Sequence, residues 1–127
     1  MVDLRVPGQA PGTAGAVGRR GVVVTSGIVD PRALTRPVPV AEQVEAALEE
    51  LVDVLTAAGA SSHDVVRVEA FLAEAADLAV WNVAFGRCWP SDPPARTTLV
   101  VGFVVETLRF EVQAVAVVEE ASDASAS

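Results

Sequence analysis

The apolar residues of this chain change their spacing along the sequence, and that change limits the folds open to it. Between residues 40 and 58 they recur at intervals of three or four positions, which is the period of a helix with one buried face. Across residues 66–72 they alternate with Arg67, Glu69 and Phe71, which is the period of a strand with one face on the core. Such switching is typical of helices packed against a sheet.

Four further elements follow from the same patterns. A β-branched run at residues 21–27 predicts a buried strand, and residues 75–89 fit a second helix with Asn82 on its flank. The predicted buried face of that helix contains Leu78, Trp81, Phe85 and Cys88. Two apolar runs, 96–104 and 108–118, are joined by a short link and predict an antiparallel hairpin. The order of elements predicts an α+β fold with both helices packed on one face of the sheet.

The ends of the chain and its loops carry their own signals. Residues 1–14 are rich in Gly and Pro and are expected to be irregular, and the prolines between positions 31 and 39 predict a loop. Gly59 is placed to end the first helix. A single domain is expected over residues 1–118, followed by a disordered tail at 119–127. No stretch resembles a signal peptide or a membrane span, so a cytoplasmic protein is expected.

Composition removes several kinds of chemistry. The 127 residues include no lysine and no tyrosine, one histidine (His63) and one cysteine (Cys88). No side-chain amine is present to form a Schiff base, and one His and one Cys cannot build a His/Cys metal site. Neither a cofactor nor a metal is therefore expected. The net charge of −8 disfavours nucleic acid as a partner, because Lys and Arg supply most of the affinity for phosphates.

Six short segments together carry a family resemblance. They are Val24-Thr-Ser-Gly27, Ala57-Ala-Gly59, Asp64-Val-Val-Arg-Val68, Trp81-Asn82, Pro94-Ala-Arg-Thr97 and Phe110-Glu-Val-Gln-Ala-Val-Ala-Val117. In this order and spacing, over about residues 15–118, the chain resembles the Rid/YjgF family. The Pro-Ala-Arg segment followed by a Glu-x-x-Ala-x-Ala-Val strand is the most specific part of the resemblance.

The resemblance implies a chorismate-mutase-like fold and a homotrimer with clefts between subunits. It also implies hydrolysis of reactive enamines or imines, such as 2-aminoacrylate, to 2-oxo acids and ammonia. In the family pattern Arg96 pairs with the carboxylate of a small substrate and Glu111 positions water. Residues implied to line the pocket or to orient the substrate are Ser26, Gly27, Asn82 and Thr98.

Three positions depart from the family pattern. Members active on 2-aminoacrylate usually carry Gly-Pro-Tyr near the start, whereas residues 11–16 contain no tyrosine. Ile28 and Thr98 stand where glutamine and cysteine are frequent. These departures leave open a specialised enzyme for another imine or enol intermediate, and a trimer that binds small carboxylates without catalysis. The net negative charge of the chain disfavours a ribonuclease activity.

The residues themselves give Arg96 and Glu111 a chemical interpretation. Arg96 begins an apolar strand after a proline-rich loop, and its planar fork of donors suits a carboxylate. Glu111 begins a strand face, where burial would raise its pKa toward the range useful for acid and base catalysis. The alternatives are a solvated or ion-paired arginine and an exposed strand-end glutamate. In the predicted hairpin about 10 to 20 Å separate the two residues, so they are predicted to meet across a subunit boundary.

Overall fold

A six-stranded sheet and two helices make up the described part of the chain. The computed structural model describes residues 4–119. The strands are β1 (Leu4–Pro7), β2 (Ala14–Arg19), β3 (Val22–Thr25), β4 (Val65–Leu72), β5 (Ala95–Val100) and β6 (Phe110–Val117). The helices are α1 (Val40–Ala57) and α2 (Leu78–Cys88).

The strands lie in the order β1-β2-β3-β6-β4-β5, so the last strand of the chain lies inside the sheet. Every neighbouring pair is antiparallel except β4 and β5, which are parallel. A parallel pair requires a crossover connection, and α2 provides it. The predicted α+β fold with a mixed, mainly antiparallel sheet is confirmed.

Both helices pack on the same face of this sheet. The strand residues buried beneath them include Val68, Ala70, Leu72, Phe110, Val112, Ala114 and Ala116. From α2, Trp81 packs against Phe110 with ring centroids 5.2 Å apart. The opposite face of the sheet carries neither helix, and we call it the open face. Over residues 4–119, neither helix combines the length and apolar character that a membrane crossing needs.

Several predicted elements are confirmed nearly to the residue. Helix α1 fills the predicted interval, and Gly59 follows it with φ of +84°, a left-handed conformation that glycine adopts without a steric penalty. Strands β3, β4 and β6 lie within or at one residue of their predicted runs. The second helix begins three residues later than predicted, because residues 75–77 form a short 3-10 turn.

The predicted hairpin between the last two strands is wrong. Strand β5 pairs only with β4, and β6 lies between β3 and β4, so both edges of β6 are occupied. Residues 101–104 continue the apolar run but leave the sheet. Phe103 and Val105 pack instead against a second small core of Val29, Ala33, Val38 and Leu108, which explains why a loop is so apolar.

Three smaller predictions are also wrong. Residues 4–7 and 14–19 are strands, although residues 1–14 were expected to be irregular; residues 1–3 lie outside the described chain. Val66 is exposed because a register shift lies between Val65 and Arg67. Leu78 is exposed at the start of α2 rather than buried. The predicted tail lies outside the described residues except for Glu119.

Candidate functional site

Arg96 lies on strand β5, at the edge of the sheet, and is held by side chains of α2. Its Nη2 donates a hydrogen bond to Asn82 Oδ1 at 2.8 Å. Its guanidinium carbon lies 4.8 Å from the centre of the Phe85 ring and 5.7 Å from that of Trp81, within the range of cation–π attraction. The side chain is exposed, yet these contacts fix where its charge is presented.

The register of β5 explains why Arg96 meets α2. Arg96 pairs with Val68 and Thr98 pairs with Ala70. Paired residues share a face of the sheet, and the buried pair on β4 faces the helices. Thr98 accordingly accepts a hydrogen bond from Trp81 Nε1 at 3.0 Å. The sheet therefore brings Asn82, Arg96 and Thr98 together, and we call these three residues the cation half.

Glu111 lies next to an irregularity between β3 and β6. The ladder runs from the pair Val24 and Val115 to an isolated bridge between Ile28 and Val112. Four positions separate Val24 from Ile28, whereas three separate Val115 from Val112. The first segment therefore has one extra residue, which is a β-bulge. The hydroxyl of Thr25 accepts the N–H of Ala114 at 2.9 Å and thereby completes the ladder. The bulge presents Gly27, which follows Ser26, toward Glu111.

Gly27 lies directly against the Glu111 carboxyl group. A Cβ at position 27 would lie 2.7 Å from Glu111 Cδ and still closer to Oε2, so only glycine leaves room for this arrangement. The N–H of Ser26 donates to Gly15 O at 2.8 Å, whereas no described acceptor receives the N–H of Gly27. We call Ser26, Gly27 and Glu111 the carboxylate half.

Burial controls the charge of Glu111. The side chain is half-buried, and this loss of solvation raises its pKa above the ordinary value for glutamate. Within residues 4–119, no hydrogen bond or ion pair from another side chain to Glu111 offsets that effect. A carboxyl group whose pKa is raised accepts a proton more readily than an ordinary glutamate does, which favours a role in general acid and base catalysis.

The two halves lie on opposite faces of the sheet. Glu111 pairs with Phe71, and Phe71 pairs with Leu99. Arg96 precedes Leu99 by three residues, and an odd step reverses the face. Two strand spacings and three residues of rise separate the Cα atoms of Arg96 and Glu111 by about 14 Å. The predicted separation persists, although the hairpin from which it was calculated does not exist.

Two cavities bear on the choice of site. A pocket of about 310 Å³ adjoins Arg96; we call it the Arg96 pocket, and it is lined by Leu72, Ala75, Leu78, Arg96, Thr98, Leu99 and Val100. A larger cavity of about 700 Å³ lies between α1 and α2. Its lining carries three acids, Glu45, Glu49 and Asp53, against one cation, Arg87. The net negative charge disfavours an anionic substrate, and the cavity contains none of the predicted site residues.

Sequence reasoning missed two contributors to these halves. Phe85 was assigned to the buried helix face, but its ring also supports the guanidinium of Arg96; its spacing of three residues from Asn82 was the available signal. Thr25 closes the bulge; it lies within the segment Val24-Thr-Ser-Gly27 that carries the resemblance, but no role was predicted for it. Within residues 4–119, no group of three or more His, Cys, Asp or Glu side chains is placed to hold a metal ion.

Comparison with solved structures defines the class of fold. A member of the YjgF/YER057c/UK114 family from Mycobacterium tuberculosis superposes with a TM-score of 0.82 at 21% identity, covering 92% of this chain and all of that one. RidA from the Antarctic bacterium Psychrobacter superposes with a TM-score of 0.79 at 24% identity, covering 90% and 94%. The architecture is therefore that of the YjgF-type proteins.

Sequence comparison then gives the family. The model of the family described as Endoribonuclease L-PSP matches residues 8–118, and the chain belongs to this family, the Rid/YjgF family. Protein DfrA of Myxococcus xanthus is 37% identical over 78 residues, 61% of this chain and 60% of that protein. Reactive Intermediate Deaminase A of Arabidopsis thaliana is 30% identical over 77 residues, 61% of this chain and 41% of that protein. The match spans less than two thirds of these curated relatives.

Proposed function

We propose that this protein hydrolyses reactive enamines and imines of the 2-aminoacrylate type to 2-oxo acids and ammonia. The proposed active sites lie between the subunits of a homotrimer, where the cation half of one chain meets the carboxylate half of the next. The observation that carries the proposal is the placement of Arg96 and Glu111 on opposite faces of one sheet, about 14 Å apart. Family membership and a relative named as a deaminase support it.

The surface of the chain is suited to such an assembly. Arg96 lies on an edge strand, and Glu111 lies on the open face. The open face and its flanks expose Val22, Val24 and Val117, each 40% to 48% accessible. Exposed apolar residues clustered in this way are typical of an interface. An edge of one subunit packed on the open face of the next is a heterologous contact, which closes into a ring under three-fold symmetry.

In the proposed reaction the cation half holds the substrate. The guanidinium of Arg96 binds the substrate carboxylate through two parallel hydrogen bonds, and Asn82 and Phe85 fix the direction of that fork. Because no acidic side chain among residues 4–119 is paired with Arg96, its charge is available to an anion. The N–H of Gly27 from the neighbouring chain, which has no acceptor among residues 4–119, can then bind the part of the substrate that reacts.

The carboxylate half supplies the proton transfers. Any enamine first becomes the imine by gaining a proton at its terminal carbon and losing one from its nitrogen to water. Glu111 then removes a proton from water as the water oxygen bonds to the imine carbon, and it delivers that proton to the nitrogen. The second proton of the water follows the same route, the C–N bond breaks, ammonia leaves and the oxygen remains as the carbonyl. The raised pKa of Glu111 suits a group that must carry protons in both directions.

We further propose a cytoplasmic location, since the single Cys88 forms no disulfide within the chain.

The activity is tested by generating 2-aminoacrylate with a serine dehydratase and following pyruvate release. We expect the protein to accelerate that release. A rate equal to the uncatalysed one would contradict the proposal.

A mixing experiment tests the shared site. Arg96→Ala and Glu111→Gln are each expected to be inactive alone. When the two variants are unfolded, mixed in equal amounts and refolded together, a site between neighbours receives an intact arginine and an intact glutamate in about one case in four for a randomly assembled ring. Recovery of about a quarter of the wild-type rate is expected. No recovery from mixed trimers would show that both groups serve the same chain's site.

A further inference from the structure

We propose that the large cavity between α1 and α2 binds an amphipathic helix of a partner protein, whose apolar side chains are flanked by Lys and Arg. We call this cavity of about 700 Å³ the helix groove. It contains no residue of the cation half or the carboxylate half, so this inference does not depend on the proposed function. The apolar wall of the helix groove includes Val44, Leu48, Val52, Val80, Val83 and Ala84.

The shape of the helix groove gives the first argument. Its lining comes entirely from the two helices, and it runs along α1 from Ala41 to Asp53, a rise of about 18 Å. About three turns of a third helix fit that length. Val52 and Val83, one from each helix, are 36% and 57% accessible. Two apolar walls that are open to solvent are typical of a groove that receives the apolar face of a helix.

The charges along the helix groove give the second argument. Glu45, Glu49 and Asp53 line it at intervals of four residues, so their exposed side chains form one row along α1. Among residues 4–119, none of the three forms an ion pair. Helix α1 contains no basic residue, and like charges four positions apart on a helix repel each other. A partner with Lys or Arg along its flanks would relieve this repulsion.

The same charges disfavour an occupant from this protein itself. Residues 1–3 and 120–127 contain acids and no Lys or Arg, so the row of acids would repel them. A second copy docked groove to groove would bring two such rows together, and each copy has a net charge of −8. Within the described lining, Arg87 is the one cation, and it does not balance three acids. Charge complementarity therefore requires a basic partner.

Two synthetic peptides test the charge preference. The first forms an amphipathic helix of about three turns, with leucines on one face and lysines on both flanks, and the second has glutamate in place of each lysine. Each peptide carries a fluorophore and is titrated with the wild-type protein while its anisotropy is followed. We expect the lysine peptide to bind with a micromolar Kd, and the glutamate peptide to bind at least about tenfold more weakly. Equal affinities, or no binding of the lysine peptide, would overturn the proposal.

A matched pair of charge reversals locates the contact. Glu49 is the central acid of the row, so Glu49→Lys should weaken binding of the lysine peptide by about tenfold and strengthen binding of the glutamate peptide. Glu50→Lys is the control, because one position turns a side chain by about 100° around the helix and Glu50 does not line the groove. It makes the same change in charge and should alter the affinity by less than about twofold. Equal changes in the two variants would contradict the proposal.

A second matched pair tests the apolar wall. Val83→Gln removes an exposed apolar side chain from the α2 side of the groove, so the lysine peptide should bind about fivefold more weakly. Val104→Gln is the control, because Val104 is fully exposed in the loop after β5 and does not line the groove; it should leave the affinity unchanged. An unchanged affinity in Val83→Gln would show that charge alone holds the peptide, and the proposal would fail.

The thiol of Cys88 reports whether the groove is occupied. Cys88 is the only cysteine of the chain and lines the groove, so its rate of reaction with a thiol reagent describes this place alone. A saturating amount of the lysine peptide should slow that reaction severalfold, and the same concentration of the glutamate peptide should not. An unchanged rate at saturation would show that the peptide binds elsewhere on the protein, against the proposal.

Two further measurements examine the occupants that charge disfavours. If deletion of residues 120–127 speeds the reaction of Cys88, the end of the chain itself fills the groove. If Glu49→Lys changes the mass of the assembly in sedimentation, the groove joins copies of this chain. We expect neither result, and either one would overturn the proposal.

Discussion

The cation half and the carboxylate half are held in place by different means. Arg96 is exposed, but the hydrogen bond that it donates to Asn82 Oδ1 and its contact with the ring of Phe85 fix its guanidinium. Glu111 is half-buried and lies against a glycine, with no described side-chain partner, so burial raises its pKa. The guanidinium of Arg96 is held by a hydrogen-bond partner and an aromatic ring, whereas the Glu111 carboxyl group has no side-chain partner among the described residues.

This difference matches the tasks assigned to the two groups. A residue that binds a substrate carboxylate must keep one charge and one direction, and a guanidinium supported by its neighbours does both. A residue that moves protons must change its charge near the working pH, which a partner cation would prevent. The comparison predicts that changes to the carboxylate half act mainly on kcat, and changes to the cation half mainly on KM.

Glu111→Gln should give the largest effect. The amide keeps the shape of the side chain but cannot accept a proton, so kcat should fall by about 10²- to 10⁴-fold, the range for loss of a general base. Glu69→Gln is the control, because Glu69 is also on the open face but pairs with Arg67. Its kcat should stay within about twofold. Equal losses of kcat in the two variants would contradict the assignment of proton transfer to Glu111.

Arg96→Lys should give the next largest effect. Lysine keeps the charge but loses the planar fork, so kcat/KM should fall by about 10- to 100-fold, as loss of charged hydrogen bonds predicts. Most of the change should appear in KM, measured from initial rates over a range of substrate concentrations. Arg67→Lys is the matched control on the neighbouring strand and should leave KM unaltered. A fall confined to kcat would contradict the assignment of Arg96 to binding.

Gly27→Ala should reduce activity with little effect on stability. The new methyl group would displace the end of the Glu111 side chain, which is flexible and can move. We expect kcat to fall by roughly tenfold or more, because misplacing a catalytic group by about 1 Å costs up to about 100-fold. Gly86→Ala is the control, since a Cβ there meets nothing within 4 Å; it should gain up to about 1 kcal/mol of helix stability. Thermal unfolding and kinetics together test both expectations.

The pH dependence should show the smallest effect. Because burial raises the pKa of Glu111 in the folded chain, the acid limb of kcat should lie above the pH at which free glutamate titrates. Glu111→Gln should remove that limb. The contribution of Glu111 to the free energy of unfolding depends on pH in the opposite sense to that of an ion-paired acid. It is fully present below the pKa that Glu111 has in the unfolded chain, and it is lost as the pH rises through its pKa in the folded chain. A limb at the position of free glutamate would contradict the assigned role.

Local pattern was enough for much of the fold. The period of α1, the stop at Gly59 and the alternation of β6 depend on residues close in sequence, and each lies where it was predicted. Strand β1 was missed because Gly and Pro nearby weaken the local signal, while pairing with β2 provides its hydrogen bonds. Phe85 was recognised as part of a helix face but not as a support for Arg96.

The sequence by itself determined the helices, four of the six strands and the family, and it selected Arg96 and Glu111 as the residues of the proposed site. Only the tertiary structure decided that β6 lies between β3 and β4, that β5 runs parallel to β4, and that Arg96 and Glu111 face opposite sides. The physical reason is that an apolar strand fits several partners equally well. Its neighbour is selected by the burial of the whole sheet and by the α2 crossover, which no local stretch encodes.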